Sequence, residues 1–501
     1  MPVPGPTVSA TPSPVLRLAV SPPTSLDPRD SDSPDSLLLV SQVFDGLVAY
    51  EPETLAAAPA AAERWEVLDR GQRFVFHLRR GATFHDGSPV TAGDFITAWN
   101  RLADPIAAKP FGFLLEQVEG FRRYRDKLQV PGLSGLRATS DRTLEVTLER
   151  PWPDFVSLLG HPALSPVPPT VTKQSFGAQP IGNGPYRVAS PLSTGTPLFL
   201  QRHEAYYGTP PTTPMIEYRT FDTPEESWPE FLAGELDVAP IPAPLLAEAQ
   251  SQFGGAGVQT LARLLYCGFN EADERFQDRA LRTAVSLAVN RDQLATDVYA
   301  GLATPAGAMV PPTIPGHRGD VCADRCAGDL DRARSLASGI PRAARTFSLD
   351  FPASSVGKQL AQALAAQLGE ARFTVTPRPH DRLAYESLLE RGEQEMFCLV
   401  WVADYPRQQA FLEPILEAGS VDNLARVNDE ELTALLERAR RAPDPGVRQD
   451  IYVETERRAL EQMHVVPLLW YRSHLGVQPS VQGFVLDPLG RYDAAALSST
   501  P

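Results

Sequence analysis

The 501-residue chain has no apolar run near the roughly 20 residues that cross a bilayer. It has no cluster of Lys and Arg suited to phosphates or to an anionic membrane surface. Its 46 basic residues face 61 acidic ones, for a net charge of −15. That excludes nucleic acid as a partner and favours cationic or zwitterionic ligands. Four cysteines are too few for a disulfide scaffold in a chain this long. There is no Gly-x-Ser-x-Gly elbow, no His-Glu-x-x-His and no kinase motif set. Acidic runs such as Glu225-Glu226 and Asp429-Glu430-Glu431 read as solvated surface. No catalytic residue, cofactor or metal is therefore expected. Met1 to Pro14 has neither a basic segment nor an apolar one, so it reads as a flexible leader and not as a signal peptide. Two expectations follow: a cytosolic protein, or an extracytoplasmic one whose signal was removed.

What is present is a globular composition, with 43% apolar and 21% charged residues. The length calls for two or three lobes. The 49 prolines fall mostly between periodic segments, so many loops are fixed. Val15 to Val20 reads as a strand and Leu37 to Tyr50 as a helix. Arg64 to Leu68 and Arg73 to Leu78 alternate as an antiparallel pair about Asp69-Arg70-Gly71-Gln72. Thr91 with Asp94 forms a capping box ahead of a helix through Trp99. Gly182-Asn183-Gly184-Pro185 lacks the Lys-Ser/Thr of a phosphate loop, and backbone geometry explains it better. From Phe347 the pattern alternates strand, helix, strand, helix, strand, the signature of a partly parallel α/β lobe.

The last of those strands is the most informative stretch: Cys398-Leu399-Val400-Trp401-Val402-Ala403-Asp404-Tyr405-Pro406. An apolar run ends abruptly in a carboxylate. A charge there is costly unless something pairs with it. Two readings stand: Asp404 is a helix cap or loop salt bridge, or it is a fixed negative charge awaiting a ligand cation such as a peptide α-ammonium. The cysteines also leave alternatives open. Cys322 and Cys326 lie four apart in a polar loop and could close a local bridge. Cys267 and Cys398 sit in strand-like runs that could face each other. All four could equally be free thiols. Cys-x3-Cys without a second ligand pair argues against zinc.

Several motifs, in this order, resemble a known family. They include Leu26-Asp27-Pro28, Phe44-Asp45-Gly46-Leu47 and Arg79-Arg80-Gly81-Ala82-Thr83-Phe84-His85-Asp86-Gly87. They continue with Val90-Thr91-Ala92-Gly93-Asp94-Phe95, Gly182-Asn183-Gly184-Pro185-Tyr186, Ala288-Val289-Asn290-Arg291, Trp401-Val402-Ala403-Asp404-Tyr405 and Asp487-Pro488-Leu489. In register from about Val15 to Leu497, they resemble the extracellular solute-binding proteins of peptide- and nickel-type ABC importers, most of all the oligopeptide-binding branch. The resemblance implies an α/β, two-lobed periplasmic-binding-protein-like fold (type II, cluster C-like) with an inserted lobe and a hinge-closed cleft. Lobe I would be discontinuous, from 15–48, 178–263 and 483–499. Lobe II would be the insert 49–177, and lobe III would span 264–482, after the leader 1–14.

The resemblance further implies a monomeric, extracytoplasmic receptor, in the periplasm or lipid-anchored at the cell surface. It would capture a peptide ligand and deliver it to the transmembrane permease subunits of an ABC importer. Asp404 matches the family's anchor for the peptide ammonium. Trp401, Val402 and Ala403 match the strand that pairs with peptide backbone, followed by Tyr405. Asp32 and Ser33 lie in the facing loop of the first lobe, and Phe111 matches an aromatic of the pocket. Two departures stand out. Arg407-Gln408-Gln409 replaces the usual Asp-Pro continuation. At Cys398 some relatives carry a basic residue for the peptide carboxylate, and here Lys358 or Arg407 would have to substitute. The cysteines fall near, not on, the positions of a bridge in some relatives, which makes Cys267–Cys398 a candidate. The alternatives are a same-fold receptor for a non-peptide ligand or a signalling peptide, and a cytosolic non-transport binding protein.

Overall fold

In the computed structural model, which describes residues 15–52, 54–107, 110–126, 130–172, 175–319 and 321–499, three sheets organise the chain. The expected leader, 1–14, lies outside the described residues. The first sheet has six strands. In spatial order they are Leu475–Val477, Val238–Pro240, Val15–Val20, Met215–Thr220, Leu198–Arg202 and Tyr186–Val188. Val15–Val20 runs parallel to Met215–Thr220 over all six residues. Leu475–Val477 closes one edge antiparallel to Val238–Pro240. The chain thus re-enters the first sheet at Leu475, inside the stretch that the sequence reading gave to lobe III. A three-residue strand carries no period to betray it.

The helix expected over Leu37 to Tyr50 is shorter and begins earlier, at Pro34–Val43. Ser33 caps it by accepting from Ser36 N at 3.1 Å, and Pro34 presets the first helical φ. After Val43 the backbone turns extended. Asn183 clamps Asp45, with Asp45 N donating to Asn183 Oδ1 at 3.0 Å and Asn183 Nδ2 donating to Asp45 O at 3.1 Å. Val48–Tyr50 then pairs as a strand with Ala57–Pro59. The flanking glycines are forced by proximity, since a Cβ on Gly182 would stand 2.0 Å from Val43 O.

The insert is a four-stranded antiparallel sheet ordered Ala62–Leu68, Arg73–Leu78, Thr143–Thr147 and Leu136–Ser140. Its core is Phe74, Phe76, Phe95, Trp99 and Phe155, all fully buried. The helix Ala92–Ala103 opens on a reciprocal capping box between Thr91 and Asp94. The third sheet is mixed: Ala303–Pro305, Val465–Arg472, Thr260–Phe269, Met396–Val402, Thr346–Pro352 and Thr374–His380. Its last three strands are parallel, joined by helices Ser355–Glu370 and Arg382–Arg391. They are the alternation read from the sequence. Asp404 follows the C-terminal end of one of them, where open α/β sheets carry ligands. The connections between the first and third sheets are tied where Ser473 Oγ donates to Gly257 O at 2.9 Å, and Ala262 N of the third sheet donates to Pro488 O at 2.6 Å.

Candidate ligand-binding site

Met396–Val402 is paired along its whole length on one side only. Thr260–Phe269 matches it from Arg263 opposite Val402 to Phe269 opposite Met396. On the other side, Thr346–Pro352 reaches only Met396 and Phe397. Among the described residues, the edge of Leu399 to Val402 is therefore open, a template for another extended backbone. Val400 and Val402 are 39% and 47% exposed beside it. Trp401 is pinned by its Nε1, which donates to Ala410 O at 2.7 Å. Ala403 N makes the last rung, to Ala262 O at 3.0 Å.

The next residue is Asp404. It caps no helix, because Gln408 holds the cap position of Gln409–Leu416. Among the described residues it makes no hydrogen bond and no ion pair, so the cap and the loop salt bridge are both corrected. Burial pushes its carboxyl up to about 7, helped by the nearby negative charge of Asp422. Asp422 is itself raised, by burial and then by Glu116 of the insert. Asp404 is thus balanced between neutral and charged near pH 7, with nothing spent on holding it.

The remaining expected residues divide. Phe111 lies in the insert with its ring 4.5 Å from that of His161. Burial and then Arg491 hold that histidine down at about 3, so it is neutral. Asp32 is exposed, and the Ser33 hydroxyl is committed to its helix. Tyr405 is a correction: it is buried beside Trp152, ring centroids 6.0 Å apart, on the side of the insert. Arg407 is another. Its Nη1 donates to Leu55 O at 3.0 Å and to Pro406 O at 2.8 Å, so it ties the insert down. Lys358 stands exposed near the start of Ser355–Glu370. Neither is placed as a carboxylate receptor. The free-thiol alternative falls, because Cys267–Cys398 and Cys322–Cys326 are both bridged.

Sequence reasoning gave no role to Tyr50 or Arg491. The Arg491 guanidinium lies 5.6 Å over the Tyr50 ring and holds Asp487 at 3.2 Å. Tyr50 in turn feels the charges of Arg407 and Asp404, which places them all in one neighbourhood. Arg263 was missed too. Its signal was available: a lone charge in the otherwise apolar Leu261 to Phe269.

The family model described as bacterial extracellular solute-binding proteins, family 5 Middle, matches residues 56–423. The chain is 30% identical over 485 residues to the probable deoxycholate-binding periplasmic protein YgiS of Escherichia coli, covering 93% of this chain and 89% of that one. It is 27% identical over 492 residues to the periplasmic oligopeptide-binding protein OppA of Salmonella typhimurium, covering 93% and 88%. The murein tripeptide binding protein MppA of Escherichia coli matches in fold with a TM-score of 0.79 at 22% identity, over 98% of this chain and 99% of that one.

Proposed function

Because the chain belongs to the family 5 bacterial extracellular solute-binding proteins, we propose that it is the peptide-capturing receptor of an ABC importer, working outside the cytoplasm and handing its ligand to membrane permease subunits. The observation that carries this reading is the open edge of Leu399 to Val402 ending at an unpartnered Asp404. Backbone pairing along that edge gives affinity without reading side chains. An ammonium at the end of the ligand supplies the charge that Asp404 lacks. Trp401, Val402 and Ala403 present the edge, and Phe111 contributes an apolar wall from the insert. The reading is of a binding protein, in keeping with the solute-binding family to which the chain belongs.

Calorimetry with a library of tetrapeptides tests it. Free-amine peptides should bind, and N-acetylated ones should bind at least tenfold more weakly. Asp404→Ala should cost roughly 2–5 kcal/mol for the former. Equal binding of acetylated and free peptides would sink the ammonium anchor. The second reading, an amphiphilic acid as ligand, is favoured by the 30% identity to a deoxycholate-binding relative and by the ease with which Asp404 becomes neutral.

A further inference from the structure

Among the described residues, the four arginines that are almost wholly buried are fully occupied. Arg282, Arg291, Arg440 and Arg448 are each no more than 6% exposed. Arg282 donates to the carbonyls of Met463 at 3.0 Å and Gln462 at 2.8 Å. Arg291 donates to Pro467 O and Cys326 O. Arg440 holds Glu413 and Glu417, and Arg448 holds Asp154. A guanidinium stays charged in any protein environment, so each needs such acceptors.

Arg263 has none. It is only partly buried, yet among the described residues it makes no hydrogen bond and no ion pair, and its Nε is out of solvent without an acceptor. It stands opposite Val402, so it shares a face with that exposed side chain, two residues before Asp404 on the partner strand. Two residues of strand are roughly 7 Å. Gly490 of the Asp487–Gly490 turn borders it, for a Cβ there would lie 3.7 Å from Arg263 Nη2. Its main acidic neighbour is Asp35, at the start of the helix facing it from the first lobe. That carboxylate already accepts from Ser21 N at 2.8 Å, and the two groups do not pair.

We propose that Arg263 is the anion subsite of the cleft, receiving a carboxylate of the ligand on the strand opposite the one that leads to Asp404. It rests on the reading of this cleft as the ligand site and deepens it. The ligand class becomes one that carries a carboxylate, whether the C-terminus of a peptide or the acid group of an amphiphile. Arg263 takes the place that Lys358 and Arg407 do not fill. A planar guanidinium with free donors grips a carboxylate through two parallel hydrogen bonds.

The test is calorimetry on the full chain with three probes: a tetrapeptide library with free C-termini, the same library C-terminally amidated, and deoxycholate. Wild type should bind the free acids at least about tenfold more tightly than the amides. Arg263→Gln should erase that ratio and leave amide binding within about twofold. Arg263→Lys should restore part of it, and unchanged thermal melts exclude misfolding. Deoxycholate bound by wild type and lost in Arg263→Gln, with no peptide bound, would uphold the anion subsite and overturn the peptide reading. Free acids and amides bound alike by wild type would overturn the subsite and leave the peptide reading standing. Equal loss of both in Arg263→Gln would also overturn it, making Arg263 a brace between lobes that pairs with Asp35. Binding of none of the probes would overturn both.

Discussion

Between the insert and the last helices, Arg448 grips Asp154 with two hydrogen bonds, Nε to Oδ2 at 2.6 Å and Nη2 to Oδ1 at 2.7 Å. Trp152 Nε1 donates to Gln409 Oε1 at 2.6 Å, and Arg407 reaches Leu55 O. Between the first and third sheets, Asp404 and Arg263 are partly withdrawn from water, yet among the described residues neither has a hydrogen-bond or ion-pair partner. The first seam is complete in itself: Arg448 meets a carboxylate and Arg407 meets backbone carbonyls. The second is complete only with something added. Rigidity and, on the proposal above, recognition are thus assigned to different seams of one molecule, and the polar accounting at each tells them apart.

The sharpest way to break this comparison is to unmake the complete seam. Arg448→Ala leaves Asp154 partly buried with its two best donors gone. It should destabilise the ligand-free protein by roughly 3–5 kcal/mol in urea unfolding. A loss below about 1 kcal/mol would mean that the seam is no more finished than the cleft.

The same measurement on the open seam should move in the other direction. Asp404 is raised from an ordinary carboxylate value to about 7 in the folded protein. Between roughly pH 4 and 7 the folded state therefore binds more protons than the unfolded chain, and stability falls as pH rises through that window. Above pH 7 the buried charge is simply a cost. Asp404→Asn should remove it, stabilising the ligand-free protein by roughly 1–2 kcal/mol at pH 8 after allowing for partial exposure. At pH 4 it should change little. A destabilised Asp404→Asn at pH 8 would show a partner within the protein.

Much of this division was legible in the sequence, for particular reasons. Asp404 announced itself because a carboxylate interrupts an apolar run, and the parallel strands showed through their alternation with helices. The capping box at Thr91 and Asp94 is a local pattern and appeared as read. Tyr405 and Arg407 were not legible. Beyond the end of a strand no period fixes direction, and both turn to the insert instead of the cleft. Leu475–Val477 was too short to claim for the first sheet. Arg263 was visible as a charge, but its lack of partners is a property of the assembled lobes.

Ligand binding should show the reverse pH dependence, with a modest size. An ammonium at Asp404 needs the carboxylate, so peptide binding must strip the proton that ligand-free Asp404 holds below about pH 7. Affinity for free-amine peptides should fall by up to about tenfold per pH unit as pH drops from 7 to 5. Calorimetry in buffers of different ionisation enthalpy should detect release of close to one proton per peptide at pH 6. N-acetylated peptides and Asp404→Asn should show neither effect. A proton release that survives Asp404→Asn would move the linkage to Asp422, the neighbour whose charge helps to hold Asp404 up.

The smallest effect separates Arg407, expected from the sequence as a carboxylate receptor, from Arg263, proposed here in its place. Arg407→Met removes the Nη1 bonds to Leu55 O and Pro406 O. It should cost roughly 0.5–1.5 kcal/mol of stability, the net worth of ordinary hydrogen bonds. The preference for free acids over amides should survive it. Arg263→Gln should do the opposite, holding stability within about 1 kcal/mol, because no partner inside the protein is lost, while the preference disappears. If Arg407→Met instead flattens the acid-to-amide ratio, the carboxylate lies at the insert seam. Arg407 would then have to leave Leu55 when ligand enters, and the seam taken here as finished would open in use.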